Sequence, residues 1–315
     1  MRTNDALQTA ARAKHDEFYT QISDIERELH QYRSYFSGKK VLCPCDELYT
    51  SSFVKHFAEN FDTYNLAKLT VTCYSSVTPS CSVKTPEDFA VRRLHGNGDF
   101  RSPECIDLLK DSDIIVTNPP FSLFREFITL LMQYGKQFII MCSINALTCR
   151  DIFPLFMQNR IWLGHSIHGG DVKFTVPDDY PLSALVCGLD EDGRKFIRVK
   201  GIRWLTNLDH GCRNRDIILS RSYDPELYPR YDNYHAIEVS RTKDIPRDYY
   251  GVMGVPITFL DKHNPEQFEI LGITEKNSPF RKKNAPKTDR AYLNGKRLYA
   301  RILIRRRRKS RKKAE

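Results

Sequence analysis

Asp113-Ile114-Ile115-Val116-Thr117-Asn118-Pro119-Pro120-Phe121 is the stretch that decides how this chain folds. Asp113 to Thr117 reads as a short buried strand, acidic at its start and β-branched after it. The two prolines stop it, because proline lacks a backbone N–H and fixes φ. Downstream, Phe124, Phe127, Ile128 and Leu131 lie on one side of a predicted helix over 124–134, and Gln137 to Met141 reads as a further strand. Upstream, Val41 to Cys43 and Leu69 to Tyr74 read as strands. Ile25, Leu29, Tyr32 and Phe36 mark a helix over 24–36, and Phe53, Phe57 and Phe61 mark the face of another. Short apolar strands alternating with amphipathic helices predict an α/β fold built from βαβ units on a parallel sheet. Ligands in such sheets sit at the carboxyl ends of the strands, where Asn118 falls.

Composition bounds the rest. The chain has 315 residues, 41% hydrophobic and 28% charged, enough for a sizeable core in one large or two ordinary domains. Its net charge of +10 is unevenly placed. Residues 281–315 hold 16 Lys/Arg against 2 Asp/Glu, whereas residues 1–280 hold 33 basic and 37 acidic side chains. A uniformly basic protein is excluded; a mildly acidic body carries a basic end. Met1 to Thr20 has no apolar signal-like core, and no window suits a membrane span, so a cytoplasmic chain without membrane contact is expected. Nine cysteines at irregular spacing read as reduced thiols. Cys43-Pro44-Cys45 lacks the second ligand pair that a zinc site needs, so no metal is expected. After about residue 190 the alternation fades, which places a soft boundary near 195.

Asn118-Pro119-Pro120-Phe121 carries the chemistry. An exocyclic amine on an aromatic base is a poor nucleophile because its lone pair is delocalised. Two acceptors aimed at its hydrogens localise that pair, and the Asn118 side-chain oxygen and the Pro119 carbonyl suit the task. Consecutive prolines leave carbonyls free of competing N–H neighbours. Phe121 offers a face on which an extruded base can stack and which favours the partial positive charge of transfer. Asn118, Pro119, Pro120 and Phe121 are therefore the candidate catalytic residues of an amino-group methyltransferase.

Such enzymes place S-adenosylmethionine beside the loop after the first strand. Here that loop runs from Cys43 to Phe53 and has no glycine, so a dinucleotide G-x-G-x-x-G reading fails. Cys45 and Asp46 are assigned to the cofactor, with Asp46 and Glu47 facing its ammonium or ribose hydroxyls. Ser51 or Ser52 caps the following helix. In Gly98-Asp99-Phe100, Asp99 is expected to accept from the cofactor's adenine amine and Phe100 to pack on its ring.

In order along residues 15–275, Asp16 to Gln21 (DEFYTQ), Val41 to Phe53, Gly98 to Phe100, Asn118 to Phe121, Gly169 to Pro177 (GGDVKFTVP), Trp204 to Leu208 (WLTNL) and Gly254 to Gly272 (GVPITFLDKHNPEQFEILG) resemble the EcoRI-type adenine-specific DNA methyltransferases. The resemblance implies a Rossmann-like methyltransferase domain over 1–194, a DNA target-recognition region over 195–300 and a basic tail over 301–315. It implies methyl transfer from S-adenosylmethionine to N6 of a flipped adenine in duplex DNA. It places Phe18, Tyr19 and Thr20 with the cofactor, together with Asn118, and it sets Phe174 beside Phe121 against the flipped base. A monomer is expected, acting either as the modification enzyme of a restriction-modification system, with a cognate restriction endonuclease as a genetic partner, or as a solitary or phage methylase. Cys-Pro-Cys stands where most adenine methyltransferases have a glycine, and Cys73-Tyr74 stands where many place a ribose-binding acid.

Other readings use the same residues. An RNA-adenine or protein-glutamine methyltransferase would employ the same tetrapeptide. Pro44-Cys45 resembles a cytosine-C5 nucleophile but comes too early in the chain. A non-enzymatic nucleic-acid-binding protein would rest on the tail alone. Arg305, Arg306, Arg307, Arg308 and Lys309 are the candidate DNA-backbone contacts, and Arg213, Arg215, Arg221 and Arg241 are further candidates.

Overall fold

The computed structural model describes residues 18–75, 79–178, 180, 187–285 and 290–308. They fall into two compact units. The first holds the described residues up to Leu147 together with Leu163–His210; the second holds Thr148–Trp162 and the described residues from Gly211 onward.

The first unit runs β1 (Tyr19–Thr20), α1 (Ile22–Leu29), β2 (Lys40–Pro44), α2 (Ser52–Glu59), β3 (Lys68–Cys73), β4 (Ser80–Lys84), β5 (Phe89–Arg93), α3 (Pro103–Asp111), β6 (Ile114–Thr117), α4 (Phe124–Gln133) and β7 (Gln137–Ser143), then β8 (Trp162–Leu163), β9 (Asp171–Thr175), β10 (Cys187–Leu189), β11 (Lys195–Lys200) and β12 (Ile202–Thr206). Eight strands form one sheet in the order β5-β4-β3-β2-β6-β7-β12-β8. Its centre, β3-β2-β6-β7, is parallel. The expected all-parallel sheet is instead mixed, because the hairpin β4–β5 pairs antiparallel beside β3 and β12 pairs antiparallel beside β7. The hairpin strands carry charged residues and lie at an edge, so they lack the apolar run that betrays a buried strand. Ile114, Ile115 and Val116 are fully buried, which accounts for their uninterrupted apolar character.

Local signals set the helices. The Ser51 hydroxyl accepts from the backbone N–H groups of Phe53 and Val54 and caps α2. Phe53 and Phe57 bury one face of that helix, and Phe61 follows in the turn beyond it. Ser102 caps α3, with Pro103 at its first position. The predicted 24–36 helix is broken: α1 passes through a 3-10 turn at His30–Tyr32 into a further helical turn at Arg33–Phe36. The carboxylate of Glu28, fully buried, accepts from Tyr32 Oη (3.0 Å) and from the backbone of His165 and Ser166 (2.7 Å each). A second sheet, β1-β9-β11-β10, is antiparallel.

The second unit contains β13 (Ile237–Glu238), β14 (Met253–Pro256), β15 (Phe268–Ile273), a hairpin of β16 (Tyr292–Leu293) and β17 (Lys296–Arg297), and β18 (Arg301–Arg306). Its four-stranded sheet has the order β13-β14-β18-β15. A Cβ on Gly254 would meet the Tyr231 side chain at 2.1 Å, so the GVPITF stretch needs glycine where that ring packs.

Two boundaries differ from expectation. Residues 195–206 belong to the first unit: Trp204 is fully buried and β12 pairs with β7 over its whole length. The alternation that signals a parallel sheet fades there because these strands run antiparallel. Residues 301–306 are an interior strand of the second unit's four-stranded sheet, not the start of a tail. Ile302, Leu303 and Ile304 are fully buried, and Arg301 reaches back to Glu238 (2.8 Å). The arginines on either side hid that apolar triplet. Residues 309–315, including Lys309, lie outside the described residues, as do Asp16 and Glu17.

Candidate active site

In the central sheet, β2 and β6 are neighbours whose outer partners lie on opposite sides, so the strand order reverses between them. The carboxyl ends of two such strands open a crevice. A cavity of about 760 Å3 lies there, within the size range of small-molecule sites. Phe18, Tyr19, Thr20, Cys45, Asp46, Asp99, Phe100 and Asn118 all line it, so the cavity gathers every residue assigned to the cofactor. Pro120 lines it as well.

Each wall has a local cause. Cys45 takes a positive φ of 66° directly after β2, the left-handed conformation that glycine favours. The missing glycine is thus replaced in shape, and the turn lets the Asp46 N–H donate to Thr72 O (3.1 Å). At the end of β3, the loop 96–99 presses against Cys73: a Cβ on Gly98 would lie 2.2 Å from the Cys73 carbonyl oxygen. Only glycine permits that approach, which brings Asp99 and Phe100 to the cavity.

Asp46 is buried and accepts from the Ser51 hydroxyl (2.6 Å) and the Thr117 hydroxyl (2.6 Å). Thr117 Oγ1 is also within hydrogen-bond distance of the Pro44 carbonyl oxygen (2.5 Å). Burial pushes the Asp46 carboxyl up to about 7, against the two hydroxyl hydrogen bonds that favour the charged form. Asp99 goes the other way: hydrogen bonds from Arg101 hold its carboxyl below the usual range. Burial and the neighbouring Asp46 push the Cys45 thiol well up, which disfavours the thiolate that a Pro-Cys nucleophile requires.

Asn118 sits at the carboxyl end of β6. Its Nδ2 donates to the Phe18 carbonyl oxygen (2.8 Å). A carbonyl only accepts, so this contact fixes the amide orientation and turns Oδ1 away. That Oδ1 is buried and finds no hydrogen-bond partner among the described residues. The Pro120 carbonyl is taken by the Leu123 N–H (3.0 Å) as the chain turns into a 3-10 helix at Phe121–Leu123.

Phe121 and Phe174 do not line the cavity. Phe121 is half-buried, with its ring 5.7 Å from that of Phe18. Phe174 is fully buried and packs on the Phe18 ring at 5.8 Å. In β9 the residues Val172 and Phe174 alternate into the core, so Phe174 has no face to offer a base; it supports Phe18 instead.

Sequence reading missed Ser51 as a partner of Asp46, missed Thr117, and missed Arg101. Thr117 carried a legible signal, a hydroxyl on the last residue of a buried strand directly before the motif. Arg101 follows the Gly-Asp-Phe turn immediately.

The candidate arginines separate in the second unit. Arg213 lies over the Trp162 ring (3.3 Å), and Arg215 Nε donates to Gly211 O (3.1 Å). Arg221 and Arg241 share Asp244, each through Nε (3.6 and 2.7 Å), and both stay exposed. At the end of β18, Arg306 and Arg308 flank the Tyr250 ring (5.3 and 5.4 Å), Arg305 faces Glu269 (3.8 Å), and Arg307 Nε donates to Pro265 O (2.8 Å). Among the described residues no group of three or more His, Cys, Asp or Glu is placed to hold a metal, and no helix is long and apolar enough to cross a membrane.

A mixed α/β sheet with Asn-Pro-Pro-Phe at the carboxyl end of a central strand, beside a cavity walled by acids and aromatics, fits the methyltransferase class. Comparison with known proteins narrows it. The profile of the family described as "Adenine-specific methyltransferase EcoRI" matches residues 6–87 and 80–307, and the chain belongs to that family. It is 45% identical to the Type II methyltransferase M.EcoRI of Escherichia coli, over 97% of this chain and 98% of that one. It is 37% identical to the Type II methyltransferase M.MpnI of Mycoplasma pneumoniae, over 95% and 97% of the two chains. It is 36% identical to the Type II methyltransferase M.MgeORF184P of Mycoplasma genitalium, over 94% and 96%. No solved structure matches. The chain is a DNA methyltransferase.

Proposed function

We propose that this protein transfers a methyl group from S-adenosylmethionine to N6 of a specific adenine in duplex DNA, as the modification enzyme of a restriction-modification system. One observation carries the reading: Asn118 is held by its Nδ2 on Phe18, which leaves Oδ1 as a buried acceptor in need of a donor. An unpaired buried acceptor costs about 1–3 kcal/mol, and such a cost is retained where function uses it. The residues around the cavity fit the cofactor. Asp46 and Glu47 supply acids for its cationic and hydroxyl groups, and Phe100 is an aromatic wall. When bound, the cofactor supplies an activated methyl group on a sulfonium.

The protein's part is positioning and polarisation. Asn118 Oδ1 and the Pro119 carbonyl accept from the two amine hydrogens and draw the nitrogen toward tetrahedral geometry, which exposes its lone pair. Phe121 stacks on the extruded base, with Phe18 behind it and Phe174 behind Phe18. Acceptors fixed before the reaction stabilise developing charge without reorganisation. The arginines at the end of β18 meet phosphates, while the Arg221–Asp244–Arg241 set presents oriented guanidinium groups to the duplex. Titration calorimetry with S-adenosylmethionine, paired with tritium transfer to DNA, tests the reading. Saturable binding and label in adenine are expected; absence of binding refutes it.

A further inference from the structure

We propose that Arg101 gates the cofactor cavity by occupying the two groups, Asp99 and Phe100, that are to receive the adenine of S-adenosylmethionine. The proposal rests on the function just given. Asp99 Oδ1 accepts from the backbone N–H of Arg101 (2.8 Å) and from its Nε (2.9 Å), and Oδ2 accepts from Nη2 (2.6 Å). The same guanidinium lies 5.4 Å from the centre of the Phe100 ring. A guanidinium and an adenine edge share the relevant chemistry. Both are planar, both stack on an aromatic face, and both donate N–H groups to a carboxylate. Adenine recognition at Asp99 and Phe100 therefore competes with Arg101 for the same partners.

The structure also supplies a place for the displaced cation. Arg101 Nη1 donates to Glu126 on α4 (2.6 Å), so the guanidinium already rests on a second carboxylate. Moving wholly to Glu126 keeps the cation paired, while Asp99 retains the Arg101 backbone N–H and exchanges the guanidinium for the adenine amine. The Arg101 side chain is 45% exposed and Glu126 56%, so the path between them runs along the solvent-facing surface. The gate is consequently a weak one. Exposed ion pairs contribute about 0.2–1 kcal/mol, so its removal changes affinity by less than about tenfold. It also selects: only a ligand that satisfies Asp99 and covers Phe100 replaces what Arg101 gives.

Titration calorimetry of the full chain with S-adenosylmethionine decides the matter, using Arg101→Ala, Arg101→Lys, Asp99→Ala and the double variant Asp99→Ala/Arg101→Ala. Arg101→Ala is expected to tighten binding about threefold to fivefold. Arg101→Lys, which keeps the charge without the planar fork, falls between that variant and the unaltered protein. Asp99→Ala weakens binding, and adding Arg101→Ala to it changes little, because no contact is left to release. If Arg101→Ala binds equally or more weakly, Arg101 orients Asp99 and the gate is refuted, while the function stands. If Asp99→Ala binds as tightly as the unaltered protein, the gate has nothing to guard and is likewise refuted. If the unaltered protein does not bind the cofactor, the function falls and the gate with it.

Discussion

Asn118 and Asp46 are the residues on which the chemistry turns, and each gives a distinct expectation. Asn118→Ala removes an acceptor used in the transition state, so kcat should fall by about 10²–10³ while cofactor affinity is largely kept, measured by tritium transfer and calorimetry. Near-normal turnover would contradict the assignment. Asp46 has a folded-state carboxyl raised by burial from 3.8 to about 7. Between those values the folded chain keeps a proton that the unfolded chain has lost. This group's contribution to stability is thus present at low pH, declines as pH rises from about 4, and is gone above about 7. Binding of a cationic cofactor should instead tighten as pH rises through 7, when the carboxylate forms. Asp46→Asn should flatten both dependences, measured by thermal unfolding and calorimetry across pH 5–8. A variant with the same pH slope as the unaltered protein would exclude Asp46 as the titrating group.

At the scale of elements, β18 sets the sharpest expectation. Residues 301–306 pair with β14 on one side and β15 on the other, so a chain ending at Ala300 loses the interior strand of the second unit's sheet and leaves Glu238 without Arg301. Such a chain should unfold in that unit at a lower temperature than the full chain. Circular dichroism melts distinguish the two, and equal melting would show that β18 is dispensable. The same strand shows what the sequence made legible. Ile114 to Thr117, Val41 to Cys43 and the 124–134 helix were readable because buried runs and helical spacing announce themselves. The β4–β5 hairpin was not, since charged edge strands carry no such pattern. Ile302-Leu303-Ile304 was masked by its arginine-rich surroundings. The site divides in the same way. Cys45, Asp46 and Asn118 were legible because they follow directly after strands, Asp99 and Phe100 through their Gly-Asp-Phe turn, and Phe18, Tyr19 and Thr20 through the family resemblance. Burial of Phe174 depended on which face of β9 meets the core, and the contact of Arg101 with Asp99 depended on a side-chain direction no spacing encodes.

For the whole molecule, the uneven charge acquires a structural meaning. The first unit holds the cavity proposed for a cationic cofactor, a role that needs little positive charge. The second carries exposed arginines on Asp244, and beside Tyr250 the exposed Arg308 and the half-buried Arg306. Each neutralised phosphate adds sequence-blind, salt-dependent affinity. Replacing Arg306 and Arg308 together by Ala should weaken DNA binding uniformly and reduce the slope of log K against log salt by about 2. Replacing Arg221 or Arg241 should change which sequences are preferred, if those guanidinium groups read bases. Filter binding across a salt series separates the two outcomes; an unchanged slope would remove Arg306 and Arg308 from the interface. The most direct measurement of the central claim is modification-sensitive long-read sequencing of DNA from cells producing the protein, beside cells producing Asn118→Ala. The expected result is N6-methyladenine at one short recurring sequence in the first and none in the second. Methylcytosine, an unmodified genome, or equal adenine methylation from Asn118→Ala would contradict it.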